Sequence, residues 1–124
     1  KGKSVVLWDT FGELFKVYSV GTVVFCGASL VPKRGQNILE AAAWGKVVLY
    51  GPSMEDFLDA HQLLQSVGAG IMVRSAAELA ERCLDLLDDP HELAVKGEAG
   101  REALLAERGA TRKNFELARR LLEK

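Results

Sequence analysis

The sequence has no excess of either charge and no motif of paired cysteines, and both absences restrict its function. Its 124 residues include 16 Lys and Arg against 17 Asp and Glu, for a formal net charge of −1. A chain this close to neutrality lacks the basic excess typical of nucleic-acid-binding proteins. The two cysteines, Cys26 and Cys83, lie within apolar patterns. This favours buried free thiols in a reducing compartment over a paired-cysteine metal site.

The sequence also lacks long hydrophobic runs, internal repeats and low-complexity tracts. No apolar run approaches the length of a transmembrane helix, and no signal peptide is recognisable. No cluster of His, Cys and carboxylates has metal-ligand spacing, so we expect a metal-independent activity. The length predicts one domain with a modest core. The chain starts with Lys1 and enters a predicted strand almost at once, so we expect it to be part of a longer protein.

Short apolar runs alternate with helical patterns along the chain. β-branched runs predict strands at residues 4–7, 22–26, 47–50 and 70–73. Helical spacing predicts helices at residues 10–21, 37–44 and 54–67. A capping box at residues 75–78 opens a fourth helix. A fifth helix runs from Asp89 to a break at Gly109, and a sixth covers residues 110–122. Strands that alternate with helices predict an α/β fold, a Rossmann-like parallel sheet flanked by helices.

The segment from Phe25 to Pro52 is the most informative part of the sequence. A predicted strand ends in Gly27, a polar loop with Lys33 and Arg34 follows, and a helix opens at about Asn37. In α/β sheets the carboxyl ends of strands and the amino ends of the next helices face one crevice, where ligands bind. Free backbone N–H groups there favour anions. This segment therefore predicts an anion-binding site, with the two basic side chains either assisting or simply solvated.

Two glutamates near predicted helix starts have two alternative explanations. Residues 10–13 and 37–40 both fit a capping box, in which Glu13 or Glu40 reaches back to the cap. Alternatively, each carboxylate accepts hydrogen bonds from a ligand, and the two roles can coexist. An ionised carboxylate would repel a phosphate, so its suitable partners are hydroxyl or amino donors.

Two motifs together resemble a known family. The sequence DTFGEL at residues 9–14 is followed by GASLVPKRGQNILEAAAWGKVVLYGP at 27–52 and by ERGA at 107–110. At the same spacing, 3-deoxy-D-manno-octulosonic acid (Kdo) transferases typically show GDTMGEL, then GGSLVPRGGHNPLEPAALGKPVLFGP, then NRGA. The likeness to the C-terminal domain of this family extends over almost the whole chain.

The resemblance implies a fold and an activity. Kdo transferases are two-domain glycosyltransferases of the GT-B type that move Kdo from CMP-Kdo onto lipid A precursor at the cytoplasmic face of the inner membrane. Their C-terminal domain holds the donor, and a glutamate of the N-terminal domain is the catalytic base. We therefore expect residues 1–124 to be a single, truncated C-terminal nucleotide-sugar-binding domain. It would contain no catalytic residue, need the N-terminal domain as its partner and be inactive alone.

The resemblance also implies which residues contact the donor. No cofactor besides the donor CMP-Kdo and no metal is expected. The family's nucleotide contacts fall on two groups of residues: Phe11, Gly12 and Glu13; and Asn37, Ile38, Leu39 and Glu40. Three further candidates follow from the residues themselves: Ser29 at the carboxyl end of a strand and Gln36 as sugar contacts or turn formers, and Lys33 beside the phosphate.

Four positions depart from the family pattern. Phe11 replaces the usual Met, Arg34 and Gln36 replace Gly and His, and Ile38 replaces Pro. Two alternatives stay open: a GT-B donor domain for a different nucleotide sugar, and a binding module without transferase activity. By this resemblance the chain also lacks the first strands of the family's C-terminal domain, so an uncovered sheet edge would favour self-association through strand pairing.

Overall fold

Five helices and three strands make up the part of the chain that the structure describes. The computed structural model describes residues 5, 7, 14–27, 29–30, 32–35 and 37–122. In chain order the elements are α1 (Leu14–Val17), a 3-10 turn (Tyr18–Val20), β1 (Val23–Cys26), α2 (Leu39–Ala43), β2 (Val47–Tyr50), a 3-10 turn (Glu55–Phe57), α3 (Leu58–Ser66), β3 (Gly70–Met72), α4 (Ala76–Leu87) and α5 (Pro90–Leu122).

The three strands form one parallel sheet in the order β1-β2-β3. Val23 pairs with Val47 and Val48 pairs with Gly70. All four residues of the central strand β2 are buried. Its uninterrupted apolar sequence VVLY suits a strand that is covered by helices on both faces.

Alternate residues of β2 face two separate hydrophobic clusters. Val48 and Tyr50 belong to a cluster with residues of α2, α3 and α5, including Ala42, Leu64 and Leu104. Val47 and Leu49 belong to a second cluster, completed by Val73, Leu86 and Leu93. The sheet is therefore the middle layer of a three-layer arrangement.

Helix α5 contributes residues to both hydrophobic clusters. Its residue Leu93 lies in one cluster and Leu104 in the other. Between them, a Cβ added at Gly97 would overlap the carbonyl oxygen of Gly45, and one at Gly100 would press on Ala69. The missing side chains therefore allow the helix to pass close to the residues preceding β2 and β3. Beyond Leu104 the apolar residues of α5 are exposed: Leu105, Phe115, Leu117, Leu121 and Leu122.

Most predicted elements are confirmed, including the α/β class and the strands at 22–26, 47–50 and 70–73. Ser75 caps α4 as predicted, because its hydroxyl accepts from the N–H of Glu78, and the reciprocal bond of the box is shifted by one residue, since the Glu78 carboxylate accepts from the N–H of Arg74. Asp89 caps α5 by accepting from the N–H of Glu92.

Several boundaries differ from prediction. The helix at 54–67 opens with a 3-10 turn, the described part of the helix at 10–21 is α1 and its 3-10 turn, and the helix at 37–44 is shortened to Leu39–Ala43. The break at Gly109 is wrong, because α5 continues through it to Leu122. One glycine costs a helix only about 1 kcal/mol, and its neighbours are good helix formers.

The strand predicted at residues 4–7 is not confirmed either. Val5 and Leu7 lie outside regular structure and are 98% and 86% exposed. Residues 4 and 6 lie outside the described part. Without an apolar surface to cover its side chains, a β-branched run gains little from an extended conformation.

We predict opposite effects for two glycine substitutions in α5. Gly97→Ala introduces a Cβ that overlaps the Gly45 backbone and should lower the free energy of unfolding by about 1–3 kcal/mol. Gly109→Ala meets no atom within 4 Å and should raise it by about 0.5–1 kcal/mol. Urea unfolding measures the change in the free energy of unfolding for each variant, and equal changes in the two variants would contradict the close crossing at Gly97.

Candidate donor site at the carboxyl ends of the strands

Ser29 fixes the start of the loop that follows β1. Its side chain is fully buried, with 0% exposure. The Ser29 hydroxyl donates to the carbonyl of Cys26 (2.6 Å) and accepts from the N–H of Gly51 (2.8 Å). The backbone carbonyl of Ser29 accepts from the N–H of Ser53 (2.9 Å). These bonds join the carboxyl ends of β1 and β2. The hydroxyl is therefore committed to a structural clamp, and the sugar contact predicted for Ser29 would require breaking it.

Gly51 makes the clamp sterically feasible. A Cβ at this position would overlap the backbone carbonyl of Ser29. The residue that follows the buried strand β2 must therefore be glycine if the loop is to lie this close to it.

Arg34 lies at the tip of the loop in a left-handed conformation, with φ of 71°. Its N–H donates to the hydroxyl of Ser53 (2.9 Å), and its Nε donates to Asp56 (2.8 Å). Because a positive φ is costly for a residue with a Cβ, these contacts offset local strain. The family that the sequence resembles has Gly here, which suits the same conformation. Arg34 is therefore a loop residue paired with Asp56.

The Ser53 hydroxyl in turn donates to Glu55 (2.8 Å). The pKa of Glu55 is lowered, first by the hydrogen bond from its own backbone N–H and then by the Ser53 hydroxyl. The pKa of Arg34 is raised, chiefly by its hydrogen bond to Asp56. The segment after β2 is thus an acidic shelf, comprising Glu55 and Asp56, that holds the loop.

The start of α2 is capped differently from the prediction. The Asn37 carboxamide oxygen accepts from the N–H of Leu39 (2.9 Å), two residues on, instead of from that of Glu40. Ile38 is buried in the core with 1% exposure, so any ligand contact by this residue would be through its backbone. Leu39 is half-buried against the same cluster. The capping-box geometry proposed for residues 37–40 is therefore wrong, because Asn37 forms a shorter Asx-type turn.

Glu40 is left free of that capping role. Its half-buried carboxylate has no hydrogen bond or ion pair with a described residue. It lies near Tyr18, whose pKa is raised first by burial, then by the charge of Glu40 and then by Cys26. Tyr18 also packs against the cluster that contains Ile38 and Ala41. A carboxylate and a phenol at one helix start form an arrangement able to bind hydroxyl or amino donors.

A cavity of about 410 Å³ adjoins the start of α2 and is lined by Asn37 and Leu39. Its remaining lining is the segment 55–60, with the carboxylates of Glu55, Asp56 and Asp59. Three carboxylates make this cavity unsuitable for a phosphate.

The structure brings together only part of the predicted site. Tyr18 and Leu39 pack against the cluster that contains Ile38, and the charge of Glu40 acts on Tyr18. Asn37 is bonded to Leu39, and exposed Lys33 has no ion pair with a described residue. Phe11, Gly12, Glu13 and Gln36 lie outside the described residues. Sequence reasoning missed Tyr18, Ser53 and Asp56. The partners of Ser53 and Asp56 in the loop are 19 and 22 residues away, and no local pattern signals such a contact.

A metal site and a membrane-spanning helix are both absent from the described residues. These residues contain no group of three His, Cys, Asp or Glu side chains placed to bind a metal ion. None of the helices among them is long and apolar enough to cross a bilayer.

Comparisons with known proteins agree with the fold. No protein-family model matches the chain. It is 37% identical over 92 residues, 74% of the chain, to the 3-deoxy-D-manno-octulosonic acid transferase of Aquifex aeolicus, and 33% identical over 121 residues, 97% of the chain, to that of Haemophilus influenzae. The C-terminal CMP-Kdo binding domain of WaaA from Acinetobacter baumannii superposes with a TM-score of 0.73 at 26% identity. That match covers 78% of this chain and 51% of the other.

The parallel sheet, its flanking helices and the structural match define a Rossmann-like domain of the GT-B glycosyltransferase class. Within that class, the chain belongs to the 3-deoxy-D-manno-octulosonic acid transferase family. It spans 26% and 28% of the length of the two transferases named above.

We predict that Ser29→Ala destabilises the domain by about 1–3 kcal/mol, because it leaves the buried N–H of Gly51 without the acceptor that Ser29 provides and removes one hydrogen bond to the carbonyl of Cys26. Ser66→Ala is the matched control, since that exposed hydroxyl donates only to the carbonyl of Leu63. Urea unfolding together with hydrogen exchange of the Gly51 amide gives the measurement. Unchanged exchange at Gly51 in Ser29→Ala would contradict the clamp.

Proposed function

We propose that this chain is the CMP-Kdo-binding part of a glycosyltransferase that transfers Kdo to lipid A precursor in lipopolysaccharide biosynthesis. The relatives named above are Kdo transferases, and the matching crystal structure is a CMP-Kdo binding domain. The observation that carries the proposal is the position of Glu40. This half-buried carboxylate in the first turn of α2 can accept hydrogen bonds from the hydroxyl and amino groups of a nucleoside.

Charge determines how the donor would lie. Glu40 and Tyr18 offer an acceptor and a hydroxyl to ribose hydroxyls or to the cytosine amino group. The phosphate must avoid Glu40 and the acidic shelf of Glu55 and Asp56. It therefore belongs on the loop side, towards Lys33, which has no ion pair with a described residue.

The helix start contributes less to phosphate binding than the sequence suggested. Helix α2 has five residues, and the N–H of Leu39 is already used by Asn37. A short helix has a small dipole, and one of its free N–H groups is lost. Lys33 and the remaining loop N–H groups would therefore supply most of the attraction. Phe11, Gly12, Glu13 and Gln36 remain proposed donor contacts on the strength of the family resemblance.

In the whole enzyme this part would orient the donor and stabilise the departing CMP phosphate, while a glutamate of the N-terminal domain activates the acceptor hydroxyl. That enzyme would work at the cytoplasmic face of the inner membrane, where lipid A precursor is its acceptor. The proposal assigns no catalytic residue to this chain, so the chain alone should bind donor without transferring sugar.

Glu40→Gln tests the proposal. The neutral amide loses a charge-assisted hydrogen bond, worth about 1.5–3 kcal/mol, so calorimetry with CMP should show an affinity at least about tenfold lower. Thermal stability should be unchanged, because Glu40 has no hydrogen bond or ion pair with a described residue.

Asp59→Asn is the matched control, since it removes a carboxylate from the neighbouring acidic cavity and should leave CMP affinity unaltered. An equal loss in both variants would move the nucleotide out of the proposed site. Tighter binding of UDP than of CMP to the unmodified chain would contradict the choice of donor.

A further inference from the structure

A basic groove lies along the edge of β3, on the opposite side of the sheet from β1. Its volume is about 400 Å³, and the three residues of β3 are part of its lining. Arg74, Arg82 and Lys96 line it together with a single acid, Glu78, which gives a local net charge of +2. This concentration of charge stands out in a chain whose net charge is −1.

The three cations come from different elements and converge on the groove. Arg74 follows β3, Arg82 lies on α4 and Lys96 lies on α5. The aliphatic stem of Lys96 passes over Gly68, about 3.8–4.0 Å from where a Cβ would stand. Arg82 and Lys96 are half-buried. Their side chains are therefore partly immobilised before any ligand arrives, which lowers the entropic cost of binding.

None of these cations is neutralised within the described part of the chain. The ion pairs found there involve Arg34, Arg101 and Arg119. Glu78, one turn before Arg82 on α4, instead accepts the backbone N–H of Arg74 (2.7 Å). The one acid of the groove is therefore committed to capping α4.

We propose that this groove binds a ligand carrying a phosphate monoester. Such a group has a charge of about −1.5 to −2 at neutral pH, which matches the local charge. Two guanidinium groups suit its oxygens through paired hydrogen bonds. An added peptide strand fits less well, because β3 is three residues long and its Gly70 is buried. The inference is independent of donor binding, since β2 lies between the groove and β1.

The phosphate could belong to a soluble metabolite or to a lipid headgroup, and the test separates them. The full chain, labelled with ¹⁵N, is titrated with sn-glycerol 3-phosphate and, separately, with phosphatidylcholine vesicles with and without phosphatidic acid. Binding should shift the amides of Met72, Arg74 and Lys96 and should weaken with added salt. A response to glycerol phosphate identifies a soluble ligand, and a response only to phosphatidic acid identifies a headgroup.

Matched variants make the outcome decisive. Arg82→Gln and Arg74→Gln should each weaken binding about tenfold, and Arg74 is exposed, so its variant should fold normally. Arg120→Gln removes the same charge from the exposed end of α5 and should have little effect. CMP affinity should be the same in all three, which separates this site from the donor site.

Three results would overturn the proposal. One is equal weakening in Arg120→Gln and the groove variants, which would indicate unspecific attraction. Another is amide shifts at Leu39 in place of the β3 edge. The third is the absence of any response to glycerol phosphate and to phosphatidic acid. This result would overturn the proposal even if an acidic peptide bound to the groove.

Discussion

The hydroxyl of Ser29 bonds simultaneously to the carbonyl of Cys26 and to the N–H of Gly51, and the geometry of the proposed donor site depends on that contact. It joins the ends of two neighbouring parallel strands, and Gly51 has no side chain to prevent the approach. Arg34 of the loop then donates hydrogen bonds to Ser53 and Asp56, and the chain continues from there into α2. Residues 37–40 are thus positioned by contacts that are buried or distant in sequence.

Charge divides the surface around the sheet into regions that suit different ligand groups. Glu40 at the start of α2 lies near Tyr18, an acidic cavity is lined by residues 55–60 together with Asn37 and Leu39, and the basic groove lies along the edge of β3. A nucleotide donor has both hydroxyls and a phosphate, so it must lie with its phosphate away from Glu40. The Arg34–Asp56 ion pair supports this orientation. It holds Arg34 against the acidic shelf, so Lys33 is the basic side chain of the loop that has no ion pair with a described residue and can face the phosphate.

The sequence predicted the architecture well because the architecture follows local patterns. The buried run VVLY, the Ser75 capping box and the Asp89 cap each depend on residues close in sequence. The predicted break at Gly109 failed because a glycine lowers helix stability without forbidding a helix. The strand predicted at 4–7 is not confirmed, because Val5 and Leu7, its described residues, lie outside regular structure and are exposed.

The site was less predictable than the fold. The family resemblance directed attention to residues 37–40, but it could not reveal that Asn37 caps Leu39 and leaves Glu40 free. The position of Ser29 at a strand end predicts a sugar contact, and it could not reveal that the buried hydroxyl is hydrogen-bonded to Cys26 and Gly51. The role of Arg34 depends on Ser53 and Asp56, which are distant in sequence and become its partners only in the folded chain.

The most direct test of this account is to measure intermolecular nuclear Overhauser effects between CMP and the labelled chain. We predict contacts from ribose or cytosine protons to Tyr18, Asn37 and Glu40, and contacts from the ribose 5′ protons, which adjoin the phosphate, to Lys33. Contacts confined to Phe57 and Ala60 in the acidic cavity, or to Met72 in the β3 groove, would contradict it.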